Sequence, residues 1–171
     1  MVNVFVLTYF QNDYYLKFER HTDFYYNKDY FGSGNYSYHF VNRTTKAISF
    51  YFTLIKKVGN NMKFTLQTYK FASNDYRLFP LYYEENPCIA LSLDIFGTSM
   101  KHYDTNVKSC PLEKGYYYLR NARMRQSGFP PHVPRGRYMF DVQLYDENVL
   151  LTKAKIYIKV VPTNALEVER F

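Results

Sequence analysis

Apolar and polar residues alternate most clearly between Ala47 and Lys57. Ile48, Phe50, Phe52 and Leu54 share one face of an extended chain, and Ser49, Tyr51 and Thr53 share the other. Gly59-Asn60-Asn61 then reads as a hairpin turn. The return strand sets Met62, Phe64, Leu66 and Thr68 against Lys63, Thr65 and Gln67. Three further strands run from Tyr116 to Met124, from Tyr138 to Tyr145 and from Leu150 to Val161. The last of them puts Ile156, Ile158 and Val160 inward and Lys155, Tyr157 and Lys159 outward. Met1 to Phe10 is extended, whereas residues 11 to 35, rich in Asn, Asp, Tyr and Lys and closed by Gly32-Ser33-Gly34, read as a loop or an irregular edge. After Pro87 two periods compete. Ile89, Leu91, Leu93 and Ile95 alternate as a strand would, and Ile89, Leu93, Phe96 and Met100 fit one helical face.

About seven antiparallel strands with one-sided patterning predict an all-β chain, a single domain over residues 1–171 built as a two-sheet sandwich. Its candidate inward faces carry Phe50, Phe52, Phe64, Leu66, Tyr138, Phe140, Leu144, Ile156 and Ile158. Such faces suit a dry core and the wall of an apolar cavity alike, and most apolar stripes are core. The assignment depends on register, since a one-residue slip would turn every one of them outward.

Composition agrees with strands. The chain has 171 residues, with 20 Tyr, 15 Phe and no Trp, and aromatic and β-branched residues favour the pleated sheet. Twenty tyrosines cannot all bury satisfied hydroxyls, so many must pack a ring and leave the hydroxyl in water. The net charge of +7 suits contact with anionic headgroups, acidic glycans or nucleic acid. Its lysines and arginines are scattered, however, as on solvated strand faces. The longest apolar run falls well short of the ~20 residues that span a bilayer.

The search for catalytic chemistry finds little. His21, His39, His102 and His132 lack the spacing or cysteine partners of a metal site. His132 lies in the rigid turn Pro130-Pro131-His132-Val133-Pro134. Glu84 and Glu85 are adjacent, so in an extended chain their side chains diverge and do not make an acid/base pair. With neither a nucleophile elbow nor a phosphate-cradling glycine loop, neither an enzyme nor a cofactor is expected. Aromatic and basic residues interleave over Lys63–Phe71 and Tyr116–Arg125, as in single-strand nucleic-acid binders. An aromatic strand is more often core, and no nucleic-acid partner is expected.

Two cysteines are too few for a disulfide scaffold or a zinc site. Cys88 and Cys110 either close a loop, worth roughly 3 kcal/mol in a chain-entropy treatment, or are reduced and buried in a cytosolic protein. The sequons Asn35-Tyr36-Ser37 and Asn42-Arg43-Thr44 favour the secretory route and make Asn35 and Asn42 candidate glycosylation sites. Met1–Leu7 has neither the basic start nor the cleavage site of a signal peptide, so a secreted protein would be a mature form with a start methionine.

One punctuated stretch carries a resemblance. Cys88 is followed by Cys110-Pro111-Leu112-Glu113-Lys114-Gly115-Tyr116-Tyr117, and then by Pro134-Arg135-Gly136-Arg137-Tyr138. This order resembles a secreted insect family of chemosensory proteins of the CheA and CheB type. That family is in turn similar to the ganglioside activator protein and the ML lipid-recognition domains. The resemblance spans roughly residues 38 to 161 and rests on structural Cys, Pro and Gly positions. It departs from the ganglioside activator in offering one disulfide where that protein has several. It implies an immunoglobulin-like β-cup with a short helix between Cys88 and Cys110. It also turns the solid-core expectation into a splayed sandwich, with the nine inward residues lining a cavity for a hydrophobic small molecule or lipid. The expected function is thus a secreted, non-enzymatic carrier of a lipid, fatty acid derivative or pheromone-like hydrocarbon in chemosensation, with transient contact to a membrane surface or receptor. The alternative is a closed sandwich that uses an exposed Tyr-rich basic surface to bind a protein or glycan.

Overall fold

The computed structural model describes residues 11–43, 46–92, 103–123 and 126–163. Among them are nine strands: β1 (Tyr14–Tyr26), β2 (Phe31–Phe40), β3 (Lys46–Leu54), β4 (Met62–Ala72), β5 (Asp75–Glu85), β6 (Asp104–Thr105), β7 (Gly115–Ala122), β8 (Gly136–Asp146) and β9 (Val149–Pro162). They form two antiparallel sheets, one ordered β1-β9-β8-β4-β5 and the other β2-β3-β7-β6. The fold is the all-β sandwich that the alternation predicts. A short helix, α1 (Pro87–Ser92), carries the first cysteine in its first turn, with Asn86 as its cap: the Cys88 amide donates to Asn86 Oδ1 at 2.9 Å, and Pro87 needs no donor at the first helical position.

Of the two readings of residues 11 to 35, the irregular edge holds: they are mostly strand, in β1 and β2 at the edges of the two sheets. Bulges between Phe18 and Arg20 and between Thr22 and Tyr25 interrupt the period of β1, and Asp23 turns through φ 56°. Gly32-Ser33-Gly34 lies inside β2, an edge strand whose glycines need no side chain to fill a core. One expectation fails, the hairpin at Gly59-Asn60-Asn61. Strands β3 and β4 do not pair: β3 lies between β2 and β7, and β4 between β5 and β8. Residues 55–61 instead cross from one sheet to the other, and Val58 forms a two-way bridge with Leu112, N to O at 3.0 and 2.7 Å. The expected extended segment Met1–Phe10 and the helical positions Leu93, Phe96 and Met100 lie outside the described residues.

Two buried clusters anchor the sandwich. At one end, Leu54 of β3 meets Val58, Met62 of β4 and Leu151 of β9, with Phe31, Phe52, Leu112, Tyr117 and Leu144 packed around them. Here the chain crosses between sheets twice, through 27–30 and 55–61, and the crossings close the end. The other cluster covers the first sheet alone: Tyr14, Leu66, Tyr138, Phe140, Ile158 and Val160 lie beneath Phe129 and Val133 of the connection between β7 and β8.

Candidate functional site

The nine residues predicted to face inward do share the sheet faces expected of them. In the first sheet the register pairs Phe64 with Leu144, Tyr138 with Ile158 and Phe140 with Ile156, with Leu66 opposite Val142. All of these project to the side that carries the buried clusters. In the second sheet Phe50 and Phe52 alternate with Leu54, which is 1% exposed against the first sheet. Their burial divides them. Leu66, Tyr138, Phe140 and Ile158 are solid core, while Phe50, Phe52, Phe64, Leu144 and Ile156 remain half-buried. Phe52 stacks on Tyr117 with centroids 5.6 Å apart and meets the edge of Phe31 at 5.7 Å.

The open part of the sandwich lies where the edge strands β1 and β2 face each other. Phe18 of β1 contacts Tyr38 of β2 with ring centroids 4.5 Å apart, and Phe24 contacts Tyr36 at 5.6 Å. A hydrogen bond of 2.6 Å joins His21 Nε2 to the Tyr36 hydroxyl across the gap between the sheets. Phe24 is 50% exposed and Phe40 62%, values far from those of a closed core. At the end of this strip Lys46 Nζ lies over the rings of Phe40 (4.8 Å) and Tyr38 (5.0 Å). An open recess of about 440 Å³ lies at the opposite end of β2 from Lys46, lined by residues from Phe24 to Asp29. The void within the first-sheet cluster, lined by Tyr14, Thr68, Phe79 and Tyr138 among others, is about 20 Å³. That is room for a single water and not for an alkyl chain. Space for a ligand therefore lies in the recess at the end of β1, not in that void. None of Phe18, Phe24, Tyr36, Tyr38, Phe40 and Lys46 was among the predicted site residues. Their signal was the aromatic density of residues 18–40, masked by the bulges of β1 and the glycines of β2.

The outer face of the second sheet is a separate aromatic surface. Tyr51 pairs with Tyr118, and Thr53 with Tyr116. The Arg120 guanidinium lies 4.2 Å from the Tyr118 ring centroid and bonds Asp104 at 2.9 Å. Asn35 sits opposite Tyr51 on the same face, and both Asn35 and Asn42 are exposed. His39 links Ser37 Oγ (3.3 Å, at Nδ1) to Asn121 Oδ1 (2.7 Å, at Nε2). This Ser-His-Asn chain links the edge strand β2 to β7 across β3. Among the described residues no group of three His, Cys, Asp or Glu could hold a metal ion.

Cys88 and Cys110 are bonded, with Cα atoms 6.0 Å apart. The disulfide ties α1 to the segment that bridges Val58, and Gly59 fits because a Cβ there would lie 2.6 Å from Pro111 Cα. Burial raises the Tyr14 phenol to about 12, with Asp13 adding to the shift, and its hydroxyl donates to the Pro130 carbonyl at 2.6 Å.

A disulfide accords with an extracellular location, where such bonds persist. No helix among the described residues is long and apolar enough to cross a membrane. No curated protein matches the chain. Residues 61–140, just under half of its length, match a family described as protein of unknown function (DUF1091), and that segment contains both bonded cysteines and the strands from β4 into β8.

Proposed function

We propose that this protein is a secreted, non-enzymatic carrier of a hydrophobic ligand, held in the cleft between the two sheets. The reading rests on one observation: Phe18, Phe50 and Ile156 stay half-covered on the inward faces, while the β1–β2 margin exposes Phe24, Tyr36, Tyr38 and Phe40. A sandwich that functions through its outer surface has no use for rings exposed between its sheets, where each costs about 25 cal/mol per Å² left in water. An alkyl chain laid along Phe18, Tyr38, Phe50 and Ile156 would recover that area and needs few polar anchors. The chemosensory setting and the likeness to ML lipid-recognition domains belong to this reading, as does a glycan at Asn35 or Asn42. Native mass spectrometry of protein secreted from insect cells, with organic extraction of whatever is released, tests it. A stoichiometric fatty acid, sterol or hydrocarbon is expected. An apo mass that no lipid shifts would overturn it.

A second reading has its own observation. Tyr51, Tyr116, Tyr118 and Arg120 form a flat aromatic and cationic surface on the outer face of the second sheet, suited to a protein or glycan partner. Loss of partner binding in Tyr118→Ala, with lipid binding intact, would favour it.

A further inference from the structure

Lys46 is the one inward-facing cation of β3, in phase with Ile48, Phe50 and Phe52. It stands at the open end of the strip, over the faces of Tyr38 and Phe40, and Tyr38 in turn rests on Phe18. Ring faces hold an ammonium in place without neutralising it. Among the described residues no carboxylate pairs with Lys46, whereas Lys57, Arg120, Arg137 and Lys155 each have an acidic partner within 3.2 Å. An apolar strip that ends in a positioned, unneutralised cation is complementary to a molecule with an alkyl chain and an anionic head.

We infer that the ligand is a single-chain anionic amphiphile, with its tail along Phe18, Tyr38 and Phe50 and its headgroup at Lys46 Nζ. This inference rests on the carrier reading. The alkyl tail supplies the bulk of the affinity through burial, and Lys46 supplies the choice between acid and alcohol through a charge-assisted hydrogen bond. Because Lys46 is exposed, that preference weakens as salt rises.

Palmitate and hexadecanol, which share a chain and differ in the head, separate the two levels of the argument. Each is titrated against protein loaded with the neutral probe N-phenyl-1-naphthylamine at pH 8, in wild type, Lys46→Gln and Lys46→Arg, with thermal unfolding as the control for folding. Palmitate is expected to displace the probe about tenfold more tightly than hexadecanol, the scale of one charge-assisted contact. The preference should vanish in Lys46→Gln and persist in Lys46→Arg. Equal affinity for acid and alcohol in the wild type, or a preference that survives Lys46→Gln, overturns the headgroup assignment while leaving the carrier intact. Failure of the probe and of both lipids to bind overturns carrier and headgroup together.

Discussion

The closed end of the sandwich and its open margin are built from similar residues but differ in connection. Around Leu54, Met62 and Leu151 the chain passes twice from sheet to sheet, the Cys88–Cys110 bond ties down the neighbouring segment, and Leu151 is fully buried. Along β1 and β2 the same aromatic and aliphatic chemistry faces across two sheet edges that are joined at one end only, by the crossing at 27–30, and Phe40, at the far end of β2 from that crossing, stays 62% exposed. Aromatic density does not by itself produce a core. A covalent or chain crossing that holds both sheets at packing distance does.

The largest effect should separate the two regions directly. Leu151→Ala removes a fully buried side chain from a cluster braced on both sides and is expected to cost about 4 kcal/mol. Phe40→Ala, which removes a larger side chain from the open margin, should cost under about 1 kcal/mol. Urea unfolding followed by circular dichroism measures both. Comparable losses would mean that the margin is closed in solution.

Removing the disulfide tests what holds the closed end. Cys88→Ser with Cys110→Ser frees a loop of sequence separation 22 and should lower stability by about 3 kcal/mol. Lipid affinity, if it resides in the β1–β2 cleft, should change far less than the unfolding midpoint does.

How much of this was legible in the sequence follows from what alternation can encode. The period of two fixed which residues face inward, and β4, β8 and β9 keep those faces. It does not name the partner strand. Apolar residues of β3 and β4 point to the interior whether the strands form a hairpin or an arch between sheets, so Gly59-Asn60-Asn61 looked like a turn within one sheet. The seven-residue link and the Val58–Leu112 bridge make it an arch. Strand β1 was legible only as a loop or an irregular edge because bulges at Glu19 and near Asp23 shift its phase twice. The site was half-legible for the same reason: Phe50 and Phe52 lie on unbulged β3, while Phe18, His21 and Phe24 lie on β1.

Alkaline pH should weaken the first-sheet cluster through Tyr14. Burial, with Asp13 nearby, raises Tyr14 from its ordinary 10 to about 12 in the folded state, so the native protein holds that proton more tightly than the unfolded chain. Stability from this group is whole below pH 10 and is lost as pH rises toward 12, by an amount on the order of 2 kcal/mol. Unfolding midpoints taken from pH 9 to 12 should fall through that window, and Tyr14→Phe should flatten the fall. An unchanged slope in the variant would assign the loss to other tyrosines.

The smallest effect reverses sign between the regions. Thr68 is 1% exposed in the first-sheet cluster, and its Oγ1 has no hydrogen-bond partner among the described residues. A buried, unpaired hydroxyl is a cost that no contact offsets, so Thr68→Val, nearly the same in shape, should stabilise the fold by about 1 kcal/mol. In the open margin the Tyr36 hydroxyl bonds His21 at 2.6 Å beside solvent, and Tyr36→Phe exchanges that bond for water contacts at a cost of about 0.5 kcal/mol. Thermal unfolding of the two variants side by side should move in opposite directions. Destabilisation by Thr68→Val would show that its hydroxyl is satisfied in solution, and that the wall between cluster and cleft is wetter than its apolar lining indicates.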